Sequence, residues 1–130
     1  MKKTGFAKTA CIVAAFCLVA AASPAQTFTV LTEFDGTNGG NSTGALTQGS
    51  NGNFYGAAAA GGADGLGTVF DVTSAGALTT LHGFCVLTGC PDCAGPGSAL
   101  LLAANGNFYG TTQGGGDLEG TVLKSLRLAS

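Results

Sequence analysis

The hexapeptide NGNFYG stands at residues 51–56 and again at residues 105–110 of a 130-residue chain. The likeness extends outward on both sides. ALTQGSNGNFYGAAAAGG (residues 45–62) aligns with ALLLAANGNFYGTTQGGG (residues 99–116) at an offset of 54, and GTVF from Gly67 aligns with GTVL from Gly120 at an offset of 53. Upstream, TVLTEF (residues 29–34) matches TTLHGF (residues 79–84) at an offset of 50. Separated landmarks that agree at nearly one period mark an internal repeat, whose units bury their apolar faces against neighbours. The small drift in offset places insertions in the loops between landmarks.

Each unit reads as short strands joined by tight turns. Asn51-Gly52 and Asn105-Gly106 form the dipeptide that suits positive φ at both centres of a type I′ hairpin turn, with Phe54 and Tyr55, and in the second copy Phe108 and Tyr109, just beyond it. A Gly-rich loop then leads to TVFDV (residues 68–72), rich in the β-branched and aromatic residues that favour strands. Ser74-Ala75-Gly76 supplies a turn before a fourth strand over residues 77–84. Four short strands in about 50 residues match one propeller blade, so the expected fold is all-β, with four-stranded, propeller-like repeat units. Landmarks at 45–84 and 99–123 make it an incomplete array of about two units. Residues 28–34 copy the fourth strand ahead of the first full unit, while the last unit reads as stopping after its third strand, which starts at Thr121 and ends between Leu123 and Leu126. The N-terminal strand could then complete the last unit, the chain could form a small two-sheet or barrel-like body, or several copies could assemble. Otherwise the chain is a piece of a longer array, marginal alone and self-associating through the edge near Leu123.

The first 25 residues stand apart. Lys2, Lys3 and Lys8 form a basic head, residues 9–22 an apolar run of 14, and Ser23-Pro24-Ala25 a small-residue cleavage site, which is the layout of a secretory signal peptide. The run is shorter than the ~20 residues a spanning helix requires. Cleavage after Ala25 is expected to leave residues 26–130 as the β-repeat region, secreted or at the cell surface, with no stable membrane span. Three of the five basic residues depart with the leader, leaving Lys124 and Arg127 against seven acids and a formal net charge of −5. Nucleic acid, which requires basic side chains against its phosphates, is excluded as a partner. The repeat region also keeps 22 of the 23 glycines, in line with a turn-rich β protein.

The motifs NGNFYGTT, GTV[FL] and LTTLHGF, with a Gly-rich loop between the first two, resemble the GloVer tandem-repeat family of secreted and surface microbial proteins. The likeness covers nearly all of residues 29–123. It implies a secreted, β-rich, propeller-like repeat protein, and it carries over no catalytic residues. The second unit departs from the pattern at its end, reading LKSLRLAS where the first reads FDVTSAGALTTL.

The densest chemical cluster is HGFCVLTGCPDC, residues 82–93. Without the leader three cysteines remain, and in an oxidising compartment one disulfide, Cys85 to Cys90, is expected to staple the loop and leave Cys93 over. So short a closure contributes ~2 kcal/mol. Two readings compete with the staple. Cys90-Pro91-Asp92-Cys93 has redox spacing, but thiols in that motif are activated at a helix N-terminus, and nothing nearby reads as helix. His82, Cys85, Cys90 and Cys93 make a Cys₃His zinc set of irregular spacing. Elsewhere, Asp35, Asp64, Asp71, Asp92 and Asp117 read as turn formers in solvent before they read as calcium ligands or a glycosidase pair. Tyr55 and Tyr109 suit packing within the repeat or stacking on sugar rings. Asn41-Ser42-Thr43 fits a glycosylation acceptor. No catalytic set or cofactor site is expected. Two functional classes follow: a secreted noncatalytic structural or interaction repeat protein, meeting itself or an extracellular glycan or protein, and a secreted carbohydrate-binding or carbohydrate-active β-propeller.

Overall fold

The computed structural model describes residues 25–42, 44–86, 88–89, 94–114 and 119–125. Its described residues hold strands and turns without a helix. The strands run in chain order: β1 (Thr47–Gln48), β2 (Phe54–Ala58), β3 (Thr68–Val72), β4 (Leu78–Gly83), β5 (Ala94–Pro96), β6 (Leu101–Leu102), β7 (Phe108–Gly114) and β8 (Thr121–Ser125). They form two antiparallel four-stranded sheets. The first has the order β1-β2-β3-β4; in the second, β5 and β6 both pair with β7, which also pairs with β8.

Pairing follows the repeat in three strands of each sheet, β1, β2 and β3 matching β6, β7 and β8. Gln48 faces Phe54 in the first sheet as Leu102 faces Phe108 in the second, and Phe54 faces Val72 as Phe108 faces Ser125. Even the isolated bridge between Gly40 and Ala60 has its counterpart 54 residues on, where Ala94 faces Gly114. The strand β5 has no strand-forming sequence of its own, since Gly and Pro are depleted in sheets, but it occupies the place that this bridge holds in the first unit.

The turn at NGNFYG differs from the sequence expectation. Gly52 and Gly106 have φ of 85° and 78°, while Asn51 and Asn105 keep negative φ, so the turn is not type I′. Gly49 N–H donates to the Asn53 carbonyl at 2.8 Å and Gly52 N–H to the Gly49 carbonyl at 3.1 Å; Ala103, Asn107 and Gly106 repeat both bonds. This is the three-residue hairpin loop in which one residue in the left-handed region follows the turn. Only the glycine of the Asn-Gly pair has to take positive φ. Thr73 to Ala77 close the β3–β4 connection with the same two bonds.

The core lies between the sheets. Directly opposed residues share a face, so Tyr55 and Asp71, with Ala57 and Val69, make one face of the first sheet, while Phe54 and Val72, with Gly56 and Phe70, make the other. Tyr55 and Val69 cluster with Phe84, Leu100 and Phe108, and Leu81, Leu102 and Leu123 pack against that cluster. The Tyr face of the first unit thus meets the Phe face of the second. The rings of Tyr55 and Phe108 lie 4.4 Å apart, tilted by 31°. Backbone contacts add to the join: Gly95 N–H donates to the Leu66 carbonyl at 2.9 Å, and the Thr47 hydroxyl donates to the Leu100 carbonyl.

Residues 25–35 form no strand. Among the described residues, then, the alternative in which residues 28–34 complete the last unit is not seen. Phe34 instead lays its ring edge-on against Phe70 at 5.0 Å, on the outer face of the first sheet. The final strand, read from sequence as starting at Thr121 and ending between Leu123 and Leu126, spans Thr121–Ser125.

Candidate functional site

The hairpin tips explain why Asn, Asn and Tyr recur at fixed spacing. The Asn51 carboxamide accepts from Asn53 N–H at 3.2 Å and donates to the Tyr55 hydroxyl at 2.8 Å. In the second tip, Asn105 accepts from Asn107 N–H at 3.0 Å and donates to the Tyr109 hydroxyl at 3.2 Å. Each tyrosine thus ties its turn to its strand. The glycine after it leaves room for a large neighbour: a methyl on Gly56 would lie 2.5 Å from the Phe70 ring and 2.9 Å from the tip of Leu46, and one on Gly110 would lie 2.9 Å from Leu100.

Identical tips sit in different surroundings. Tyr55 is buried under the second unit, and its neighbour Asn53 donates to the buried carboxylate of Asp71 at 2.7 Å. The residue in the place of Asp71 in the second unit is Lys124, paired with Tyr109 across β7 and β8. Tyr109 is half-buried and Lys124 exposed, beside exposed Leu101, Thr111 and Val122. The Asn105 amide, then Asn107 and then the Lys124 ammonium pull the Tyr109 phenol below its ordinary value of 10.0, because each stabilises the phenolate. An aromatic ring framed by carboxamides and one ammonium is the most varied open chemistry among the described residues. It is suited to hydroxyl-rich or anionic groups.

The other sequence candidates lie apart from it. His82 is exposed on β4, where a bulge opposite Val69 and Phe70 interrupts the alternation, and its ring meets Phe84 edge-on at 5.1 Å. Cys85, with φ of 67°, is disulfide-bonded. The second sulfur of the staple reading, Cys90, and Cys93 of the zinc and redox readings lie outside the described residues, as do Asp92 and Asp117. Among the described residues no three His, Cys, Asp or Glu side chains converge to hold a metal, and no helix is long and apolar enough to cross a membrane. Asp35 is a turn former: one carboxylate oxygen accepts from Thr37 N–H, the Thr37 hydroxyl and Asn38 N–H at 2.8, 2.8 and 3.0 Å. Those bonds, the Asn38 N–H first, hold its carboxyl below 3.8. Asp71 departs from the turn-former expectation, since it sits buried in the middle of a sheet.

Sequence reasoning passed over the Asn53–Asp71 bond and the roles of Leu100 and Leu102. The offset of 54 would have found the leucines, as the partners of Leu46 and Gln48.

A model of the Gloeobacter/Verrucomicrobia repeat matches residues 17–128. No curated protein and no solved structure matches the chain.

Proposed function

The chain belongs to the Gloeobacter/Verrucomicrobia repeat family, and on that premise we propose that it is an exported, noncatalytic module built of propeller-like units of about 50 residues, acting through the surfaces of its sheets. The observation that carries this reading is the use made of the repeated residues. Asn51, Tyr55 and Gly56, with their counterparts Asn105, Tyr109 and Gly110, hold turns and admit neighbouring side chains, and the face bearing Tyr55 and Val69 is buried by the other unit. Their recurrence therefore has a packing cause. Export is supported by the basic head, apolar run and small-residue site of the first 25 residues. N-terminal sequencing of the extracellular fraction from the native host should read from Gln26; an intact Met1 on a cytoplasmic protein would end the export reading.

In the loop after β4, the disulfide of Cys85 is proposed to run to Cys90. Peptide mapping without reductant should join those two and leave Cys93 alkylatable or bonded to another molecule. Stoichiometric zinc on fully reduced protein would replace this staple with the Cys₃His set.

One observation favours a second reading, carbohydrate binding, at the second hairpin tip. Tyr109 presents a half-buried ring flanked by Asn105, Asn107 and Lys124, and aromatic faces with polar rims suit sugars. Glycan-array binding that Tyr109→Ala abolishes would support it. Retention of binding in that variant, or no binding by the wild-type protein, would leave the structural module.

A further inference from the structure

We propose that copies of this chain dock head to tail, the outer face and free edge of the second sheet in one copy receiving the first sheet and residues 28–34 of the next. Two separate observations lead there, one from the faces and one from the edges.

The faces come first. Inside the chain, the Tyr face of one unit covers the Phe face of the next, so the contact joins two unlike surfaces. Since the sheets are repeats, each also carries the surface that its counterpart buries. Val122 is 79% exposed where Val69, in the same place on β3, is 5% exposed; Leu46 is 52% exposed where Leu100 is 4% exposed. Leu46 lies over Gly56 just as Leu100 lies over Gly110. The described residues thus hold both halves of a contact that they make once. A second copy, presenting Leu46 to the surface around Val122 and Tyr109, continues the internal interface without any new kind of packing.

The edges tell the same story. In the first sheet β3 lies between β2 and β4, whereas its counterpart β8 pairs among the described residues with β7 alone. Residues 29–34 copy residues 79–84 of β4 and its end, yet they form no strand and expose Phe28 at 95%, Val30 at 75% and Leu31 at 50%. Carrying the β3–β4 register across by the repeat offsets sets Thr32 opposite Val122, Val30 opposite Leu123, Thr29 opposite Lys124 and Phe28 opposite Ser125. The same segment is held on the outer face of the first sheet by the packing of Phe34 on Phe70. That is the far side from β8, so the β8 it can reach belongs to another copy. In the internal contact, Phe84 is buried between the two sheets at the end of β4, and Phe34 is its repeat counterpart on the face that the next copy would bring in. Added strands on an exposed edge gain main-chain hydrogen bonds, with side-chain pockets setting register.

A contact between unlike surfaces either closes into a ring or runs on as a fibre. Propellers hold about four to eight sheets, so about two to four copies would close. The docking face includes Tyr109, so a glycan held there and the next copy would compete for one surface; the assembly does not rest on the glycan reading.

Sedimentation velocity on the full chain, with Leu46→Glu and Val122→Glu as separate variants, decides the matter. Both positions are exposed within one copy, so circular dichroism should match the wild type. The wild-type chain should sediment as an oligomer, and each variant alone should associate about tenfold more weakly or worse. An equimolar mixture of the two should recover a one-to-one dimer, because one variant keeps an intact head and the other an intact tail. A monomeric wild type would overturn the proposal, and so would association that survives both substitutions, a mixture that stays monomeric, or loss caused by Val122→Glu with Leu46→Glu silent. Should either variant unfold, hydrogen exchange on the wild type serves instead: residues 28–34 and 121–125 should gain protection together on concentration, and protection of neither, or of one alone, would refute the pairing.

Discussion

Glycine and asparagine in NGNFYG make separable contributions. Gly52→Ala places a side chain at φ of 85°, a conformation that costs an L-residue about 1–2 kcal/mol, while Gly56→Ala drives a methyl into the Phe70 ring and should cost about 1–3 kcal/mol by overpacking. Urea titrations of the two variants should show both losses, and Gly56→Ala should remain destabilising even when Leu46 is shortened, because the ring is the closer obstacle. Asn53→Ala would leave the buried Asp71 carboxylate without its amide donor, for a loss of about 1–3 kcal/mol; at the equivalent Asn107 the place of that acid is taken by exposed Lys124, and Asn107→Ala should lose less. Asp35 gives the pH dependence. Its carboxyl is held below 3.8 by the Asn38 and Thr37 donors, so its contribution to stability is complete above the unfolded value and is lost as pH falls through the lowered one. A carbon-detected NMR titration should find its midpoint under 3.8, and Thr37→Val, which removes one hydroxyl donor, should bring that midpoint part of the way back. An unchanged midpoint in the variant would remove the hydroxyl from the account.

Strands of like sequence need not be of like importance, because the neighbour decides what each one buries. Phe84 and Phe34 occupy equivalent places, but Phe84 is 1% exposed in the core and Phe34 is 37% exposed on an outer face. Phe84→Ala should cost about 3–5 kcal/mol, and Phe34→Ala clearly less, by thermal or urea unfolding in parallel; equal losses would show that the outer face is as closed as the core. The elements legible in the sequence were those with local causes. TVFDV is rich in β-branched and aromatic residues, and β3, β4 and β8 fall where turn residues and strand propensity placed them, to within two residues, while β2 and β7 start at the Phe-Tyr pairs that follow the Asn-Gly turns. The strand β5 was not legible, because Ala94-Gly95-Pro96 owes its place in the sheet to the pairing of Ala94 and Pro96 with the partner strand β7. Nor was the bulge on β4, which leaves Leu81 packed on the core and His82 exposed, since it follows from pairing geometry with β3. The I′ reading of Asn-Gly went astray because the dipeptide fixes only that φ can turn positive; the count of loop residues, set by the flanking register, selected the three-residue form.

For the molecule as a whole, the repeat was evident in the letters and the way its units meet was not. Phe54-Tyr55 and Phe108-Tyr109 are the same pair of residues, and nothing local says that Tyr55 from one and Phe108 from the other turn toward each other. That choice belongs to the contact between sheets, and it also separates the candidate site from its buried twin: among the described residues no third sheet lies over Tyr109, which stays open with Lys124 beside it. Acids, cysteines and the lone histidine drew attention in the sequence as chemistry, yet Asp35 and Asp71 are engaged in turn and sheet hydrogen bonds. Stacking of unlike faces is thus the claim on which the module and its assembly both depend, and a nuclear Overhauser experiment on the aromatic protons reads it most directly. With ring centroids 4.4 Å apart, Tyr55 and Phe108 should give strong cross-peaks that vanish in Phe108→Leu and persist in Tyr109→Leu. Cross-peaks from Tyr109 to Phe54 in their place, or no contact between the aromatic rings of the two units, would contradict it.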